Sequence, residues 1–367
     1  MWRAYRADGE GRLRPYGGGW LPRHAAAWAA LLLASGCSPG SPGPEAEQRP
    51  RLPEARRWAS VSWDTVFLVG GSPADTLFLL PTRLAANEAG VSVLDRLAGR
   101  VVRFDRRGRH VWSFGRRGRG PDELEHPRHV ALDGEGRTWV LDVENGRLTV
   151  IDTAGRATLR IPLGKVGRAA DTFVPVPGDE AMLLVLDRER PLVHVGRNGD
   201  VRERIAFPWP GYADLHPLAT QLVAGHDPAS GRWVAAFGVG DGFFPFDGDR
   251  WLGYRGWYVE PIGFPRVVRR GGMAFGRRQR TTWLEGTRFA AEAISVEGGR
   301  LFVFFGGASV DRHRVVDVYS LTDGAYVESY RLPMRVRHAI YAGGLIYALY
   351  ENPFPTLAAW RPKREDL

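Results

Sequence analysis

The sequence predicts an all-β fold, a six-bladed β-propeller of four-stranded antiparallel blades closed by an N-terminal strand. Glycine (46 residues), proline (26) and tryptophan (13) are all frequent among the 367 residues, a mixture typical of short strands joined by tight turns. Residues 91–109 and 138–156 align without a gap at an offset of 47 residues, which indicates a repeat architecture. No helical period of any length runs through the apolar positions, so a fold of alternating strands and helices is disfavoured.

Composition excludes several classes of protein. A single cysteine rules out a small disulfide-stapled domain, and 44% apolar residues are enough for a sizeable core. The formal net charge is +9, and all but two of the 50 basic residues are arginines. The chain contains no glycine-rich phosphate loop, no HExxH, no GxSxG and no paired-cysteine metal motif, so the enzymes that depend on those motifs are not indicated.

Residues 1–36 are predicted to be a lipoprotein signal peptide. An arginine-rich lead precedes ten apolar residues, Ala25 to Ala34, which are too few to span a bilayer core that needs about 20. Small residues then precede the only cysteine, a pattern typical of secretory signals. The run Leu33-Ala34-Ser35-Gly36-Cys37 resembles a bacterial lipoprotein signal, which implies lipid attachment at Cys37. A plain secretion signal is the alternative.

Residues 37–57 are predicted to be a tether, because they are rich in proline and glycine and show no hydrophobic period. The propeller is predicted over residues 58–367. An exported, membrane-anchored protein follows from this organisation. The outer membrane is favoured because Ser38 stands where an aspartate retains many lipoproteins at the inner membrane.

The propeller units follow in chain order. Each of the two aligned segments reads as strand, turn, strand, glycine turn and strand, with alternating apolar positions. Looser copies occupy 181–207, 221–254, 290–332 and 338–360, and the last stops one strand short. The unassigned strand at 64–69 is predicted to pair near 356–361 and close the ring, which removes exposed sheet edges.

Residues 115–155 resemble an NHL-type propeller repeat. The matching positions are Gly118, Gly120, Pro121, Glu123, Leu124, Pro127, Val130, Asp133, Gly136, Val140, Asp142, Asn145, Arg147, Val150, Asp152 and Gly155. The resemblance implies a six-bladed propeller of the kind found in bacterial lipoproteins, which bind proteins, glycans or RNA and in a minority carry metal in the central channel. Asp142 and Asn145 are expected to hold a turn, and Arg147 to pair with a carboxylate of the next blade.

Two loops are candidate partner-binding sites. Glycine-turn markers at 155, 199 and 248 are regularly spaced, but the next, at 324, leaves an insertion at about 258–287. Its candidate contact residues are Phe264, Arg266, Arg269, Arg270, Phe275, Arg277, Arg278, Arg280 and Trp283. The second candidate is the loop from Gly118 to Pro127, with Arg119, Asp122 and Glu123. A solvated loop without a partner is the alternative for the insertion.

The channel mouth offers a third candidate, a metal site of His129, Glu292 and His338. Two imidazoles and a carboxylate are suitable ligands for zinc and leave a position open for water. Thr82 and the residues near Phe173 and Val223 break the pattern in the other three blades. Hydrogen-bonded structural histidines are therefore the alternative.

These features predict a lipid-anchored binding or scaffold module of the cell envelope, and a monomer. Its expected partner is an envelope protein or an anionic glycan or peptide, with no nucleic acid and no cofactor. The alternative function is a metal-dependent hydrolase or lyase that uses zinc or calcium in the central channel.

Overall fold

A computed structural model describes residues 52–72, 77–216, 219–274, 277–286, 288–351 and 353–365. The signal peptide, Cys37 and the predicted tether up to residue 51 lie outside these residues. Two compact units are present: residues 49–265 with 287–367 form the propeller, and residues 266–286 form a hairpin. Within the described ranges, no helix is long and apolar enough to cross a membrane.

Six four-stranded antiparallel sheets confirm the predicted fold. Strand β1 (Val61–Gly70) precedes the first blade, which contains β2 (Pro81–Asn87), β3 (Gly90–Asp95), β4 (Arg100–Asp105) and β5 (His110–Phe114). Blade two contains β6 (Pro127–Leu132), β7 (Thr138–Asp142), β8 (Arg147–Ile151) and β9 (Ala157–Pro162). The short helix α1 (Gly164–Ala169) leads into blade three, with β10 (Ala170–Val176), β11 (Glu180–Val185), β12 (Leu192–Val195) and β13 (Val201–Ile205).

The second half repeats this order. After a 3₁₀ turn at Pro210–Tyr212, blade four contains β14 (Leu222–His226), β15 (Arg232–Phe237), β16 (Phe243–Asp247) and β17 (Arg250–Trp251). The hairpin pairs β18 (Arg266–Ala274) with β19 (Arg277–Glu285). Blade five contains β20 (Ala291–Glu297), β21 (Arg300–Phe305), β22 (Val315–Ser320) and β23 (Tyr326–Arg331), and β24 (His338–Ala342), β25 (Leu345–Tyr350) and β26 (Thr356–Arg364) follow.

The ring closes as predicted. Strand β1 pairs antiparallel with β26, and the register sets Asp64 opposite Arg361 and Val69 opposite Leu357. The sixth sheet therefore has the order β1-β26-β25-β24. Closure covers the edge that β26 would otherwise expose and buries Phe67 against the last blade.

The core lies between neighbouring blades. Apolar side chains on the two faces of each sheet pack against the adjacent sheets, so central strands such as β7 are buried on both faces. One cluster joins Trp139 and Leu141 of blade two to Phe173 and Leu183 of blade three. Face-to-face burial of this kind explains why the central strands carry apolar runs and only the outer strands alternate clearly.

The N-terminal segment before β1 packs on blade five. Trp58 bridges Ser329 in parallel, and the backbone amide of Ser329 donates to the carbonyl oxygen of Arg57. Arg56 donates two hydrogen bonds to Asp317, at 2.8 and 3.0 Å, and one to Glu260 at 2.6 Å. Contact with the propeller thus begins before residue 58.

The motif residues of blade two fasten the preceding loop. Asp142 accepts hydrogen bonds from the backbone amides of Glu125 and His126, and Asn145 donates to Asp142 at 2.6 Å. Arg147 donates to the carbonyl oxygens of Gly120 and Glu123, both at 2.7 Å. The expected carboxylate partner for Arg147 is therefore wrong, because the loop folds back and presents its own carbonyl groups.

Candidate functional site

The innermost strands β2, β6, β10, β14, β20 and β24 surround the propeller axis. In four of these strands the register shifts near the first residue, so one extra residue is inserted: Thr82, Arg128, Asp171 and Glu292. A β-bulge redirects the side chains beside it and is frequent next to functional sites. Four blades therefore place a polar bulge residue at the same level of the channel.

We call this end of the channel the basic mouth, defined by Thr82, Arg83, Arg96, Arg128, Asp171, Glu292 and Arg337. Several of its charges are paired. Arg128 contacts Asp171 of the next blade at 2.7 Å, and Glu292 contacts Nδ1 of His313 at 3.0 Å. Arg337, directly before β24, forms an ion pair with Glu351.

Two mouth arginines have no carboxylate at ion-pair distance among the residues that the structure describes. Arg83 donates to the carbonyl oxygen of Thr82 at 3.1 Å, and Nη2 of Arg96 lies 2.6 Å from Nε2 of His126. Burial lowers the pKa of Arg83, and the charges of Arg337 and Arg96 lower it further against the opposing effect of Glu292 and Asp171. The mouth thus holds positive charge that it does not neutralise locally.

Three buried histidines of the inner strands, His129, His226 and His338, are neutral at pH 7. Burial, followed by the charge of Arg83, lowers the pKa of His129 to about 3. Burial lowers the pKa of His226 to about 4 and that of His338 well below its usual range. His338 is only 4% exposed and its Nδ1 has no hydrogen-bond partner in the described structure, while the ring of His129 packs edge-on against Phe173.

The predicted metal ligands His129, Glu292 and His338 do not form a ligand set here. In the described parts of the chain, no group of three or more His, Cys, Asp or Glu side chains is arranged to hold a metal ion. Glu292 pairs with His313, and the positive charge of Arg83 acts on both imidazoles. A guanidinium at this place disfavours a bound cation. The zinc or calcium site stays a prediction, which elemental analysis of the full chain purified without chelator tests.

The loop from Gly118 to Pro127 uses its carboxylates internally. Glu123 accepts hydrogen bonds from the amide of Gly120 and the guanidinium of Arg116, both at 2.8 Å. Asp122 forms an ion pair with Arg160. The loop is therefore held to blade two, and Arg119 is an exposed residue within it. Its role in partner binding stays a prediction.

The insertion places its predicted residues in different settings. Phe264 stacks on Trp209, with ring centroids 5.7 Å apart, and packs edge-on against Phe237. Arg266 forms an ion pair with Glu285 at the base of the hairpin. Six of the remaining predicted residues are described by their backbone alone: Arg269, Arg270, Arg277, Arg278, Arg280 and Trp283. Phe275 lies outside the described residues.

Of the mouth residues, the sequence pattern indicates Glu292 but does not point to Arg83, Arg96 or Asp171. The third blade was expected to present a residue near Phe173, whereas its bulge residue is Asp171, two positions earlier. A signal existed: each bulge follows a proline or alanine that opens the strand, in Pro81-Thr82, Pro127-Arg128, Ala170-Asp171 and Ala291-Glu292.

Comparison with known proteins concerns the fold. No protein-family model matches the sequence, and no curated protein matches it either. A member of the DUF4221 family from Bacteroides vulgatus superposes with a TM-score of 0.51 at 11% identity, over 83% of this chain and 99% of that one. A candidate exported protein of Bacteroides fragilis gives 0.50 at 8% identity, over 82% and 95%.

Virginiamycin B lyase from Staphylococcus aureus is also similar, with a TM-score of 0.48 at 11% identity, over 82% of this chain and 99% of that one. At identities this low, structural similarity indicates a shared architecture and does not indicate a shared activity. The strand order and the two superpositions above agree on one conclusion: this chain is a six-bladed β-propeller.

Proposed function

We propose that this protein is a ligand-binding module of the cell envelope that recognises an anionic group at the basic mouth. The observation that carries the proposal is Arg83, an enclosed guanidinium with no carboxylate at ion-pair distance in the described structure. Enclosing a charge without a partner is unfavourable, so an anion supplied by a ligand would stabilise it. The bulges support this reading, since they orient polar groups around Arg83 at the end of a rigid channel.

The charge balance favours a ligand with a single negative charge at the contact point. Arg128 is paired with Asp171 and Arg337 with Glu351, and Glu292, which contacts His313, adds a third negative charge to the four positive charges of the mouth arginines. One positive charge remains, which suits one carboxylate better than a polyphosphate. The planar guanidinium fork can bind both oxygens of a carboxylate. An anionic glycan or a peptide carries such a group.

Small carboxylates test the proposal. We expect N-acetylglycine and glucuronate to bind the full chain in calorimetric titrations at low salt, with an affinity that falls about tenfold or more in the Arg83→Gln variant. The matched control is Arg109→Gln, which removes the same charge from the exposed turn between β4 and β5. Equal affinities of wild type and Arg83→Gln, or equal losses in both variants, would argue against the mouth as the site.

The second part of the proposal is the lipid anchor at Cys37. The signal-like segment that precedes the cysteine and the proline-rich residues that follow it support export and anchoring. In a lipoprotein-processing bacterium, wild type should partition into the detergent phase and fractionate with the outer membrane. Cys37→Ser should be released or left unprocessed, and Ser41→Ala in the tether should behave as wild type. Identical, soluble behaviour of all three proteins would show that no lipid is attached.

A further inference from the structure

Five exposed apolar side chains lie in loops of blades one, three and five, at the same end of the ring as the basic mouth. Nine large apolar residues of the described chain are exposed, and four of them lie on the N-terminal segment or outer strands: Trp58, Leu68, Val111 and Val201. The other five lie on loops where inner strands begin or second strands end: Leu79, Leu97, Leu186, Phe289 and Val310. We call these five the apolar rim. Exposed apolar side chains that border a polar site offer contact surface to a ligand bound there.

Hydrogen bonds connect the rim to the mouth. The amide of Leu79 donates to Asp95, and Arg96 and Leu97 follow that aspartate in the chain. The amide of Leu186 donates to the carbonyl oxygen of Ala169, two residues before the bulge at Asp171. The rim residues are therefore fixed on the backbone that positions the mouth.

The most exposed rim residue, Val310 (85%), sits on a loop that the mouth itself fixes. His313 in the same loop has a φ of 61°, a left-handed conformation that is unfavourable for a residue other than glycine. Its Nδ1 lies 3.0 Å from Glu292, and its carbonyl oxygen accepts from the amide of Val336. These contacts hold the loop in place despite the strain.

We infer that the ligand of the basic mouth is the C-terminal end of a polypeptide, with its α-carboxylate at Arg83 and the apolar side chains of its last residues on the apolar rim. The inference rests on the proposed function and specifies its ligand. The α-carboxylate of a chain terminus supplies the single negative charge that would balance the mouth. It brings no second charge beside it. Capture of a terminal carboxylate together with apolar side-chain contacts is an established way of recognising peptides.

The rim distinguishes a peptide from a glycan. Leu79, Leu97, Leu186 and Val310 are aliphatic, and burying such side chains against apolar partners is favourable in proportion to the area removed from water. A sugar instead presents hydroxyl groups that need hydrogen-bond partners when they lose water. An aliphatic surface provides none, so a peptide with apolar final residues fits this surface better.

Four probes test the inference on the full chain: an octapeptide ending in three leucines with a free carboxylate, its C-terminal amide, a version ending in three serines, and N-acetylglycine. The free-acid leucine peptide should bind at least about tenfold more tightly than each of the other three. The Leu97→Ser/Val310→Ser double variant should lose that advantage and keep its affinity for N-acetylglycine. Leu68→Ser/Val111→Ser, which changes exposed residues away from the rim, is the matched control.

The outcomes separate the two proposals. If N-acetylglycine binds through Arg83 but the leucine peptide gains nothing over it, the peptide inference is overturned and the carboxylate site stands. Tighter binding of a glucuronate oligosaccharide than of the leucine peptide would overturn the inference in the same way. If no probe binds and Arg83→Gln changes nothing, the proposed function itself fails.

Discussion

Replacing Arg56 by alanine should lower the free energy of unfolding by about 3–5 kcal/mol, the usual cost of removing one partner from a buried ion pair. Asp317 is fully buried, and Arg56 provides two of its hydrogen bonds while its guanidinium also lies 5.0 Å from the ring centre of Phe305. Burial alone would lower the pKa of Arg56, but hydrogen bonds and charge from Asp317 and Glu260 raise it above its ordinary value. The guanidinium is therefore charged whenever the protein is folded.

Two further variants distinguish the effect of breaking the ion pair from the effect of removing any arginine. Arg57→Ala removes an exposed neighbour that donates to the carbonyl oxygen of Tyr326, and it should cost about 1 kcal/mol or less. The double variant Arg56→Met/Asp317→Leu should recover most of the stability, because the fully buried carboxylate is removed together with its partner, while Glu260 is partly exposed and keeps the hydrogen bond from the amide of Ala308. Equal urea midpoints for Arg56→Ala and Arg57→Ala would contradict the buried ion pair.

The propeller should lose stability as the pH falls from about 6.5 towards 4. His129, His226 and His338 have lowered pKa values in the folded state, about 3 for His129 and about 4 for His226. In the unfolded chain the same side chains take up protons below pH about 6.5. Each therefore contributes a slope of about 1.4 kcal/mol per pH unit in this window, and the three together about 4 kcal/mol per pH unit.

One substitution checks the origin of this slope. His129→Gln removes a titrating group from the channel, so its unfolding free energy should depend less on pH, by about one proton between pH 6 and 5. His110→Gln changes an exposed histidine of an outer strand and is the matched control. Urea titrations from pH 8 to pH 5 measure both. A slope for His129→Gln that equals the slopes of wild type and His110→Gln would show that His129 is not neutral in the fold.

The repeats made the fold predictable from sequence. A gapless self-match and glycine turns at regular spacing define a four-stranded unit, and the missing strand of the last unit left one position for residues 64–69. Local pattern and global closure pointed to the same fold, which is why the pairing of β1 with β26 could be predicted without coordinates. The loop bonds of Asp142 and Asn145 followed from their short side chains for the same reason.

The residues of the basic mouth could not be predicted from the sequence as the blades could. A bulge shifts the register by one residue, and a shift of one reverses which side chains face the axis. The alternation of polar and apolar residues therefore could not identify Asp171, in place of Phe173, as the residue of blade three at the mouth. It also could not show that Arg83 lies beside His129 and His338. The contact of Arg56 with Asp317 joins residues far apart in the chain, and no periodic pattern marks it.

The most direct measurement is the position of a bound anion in a crystal of the full propeller. Crystals soaked in 4-bromobenzoate should show an anomalous bromine signal at the basic mouth, with the carboxylate within hydrogen-bond distance of Arg83, and crystals of Arg83→Gln should lack it. A signal only at exposed turn arginines such as Arg109 or Arg156, with none at the mouth, would contradict the account.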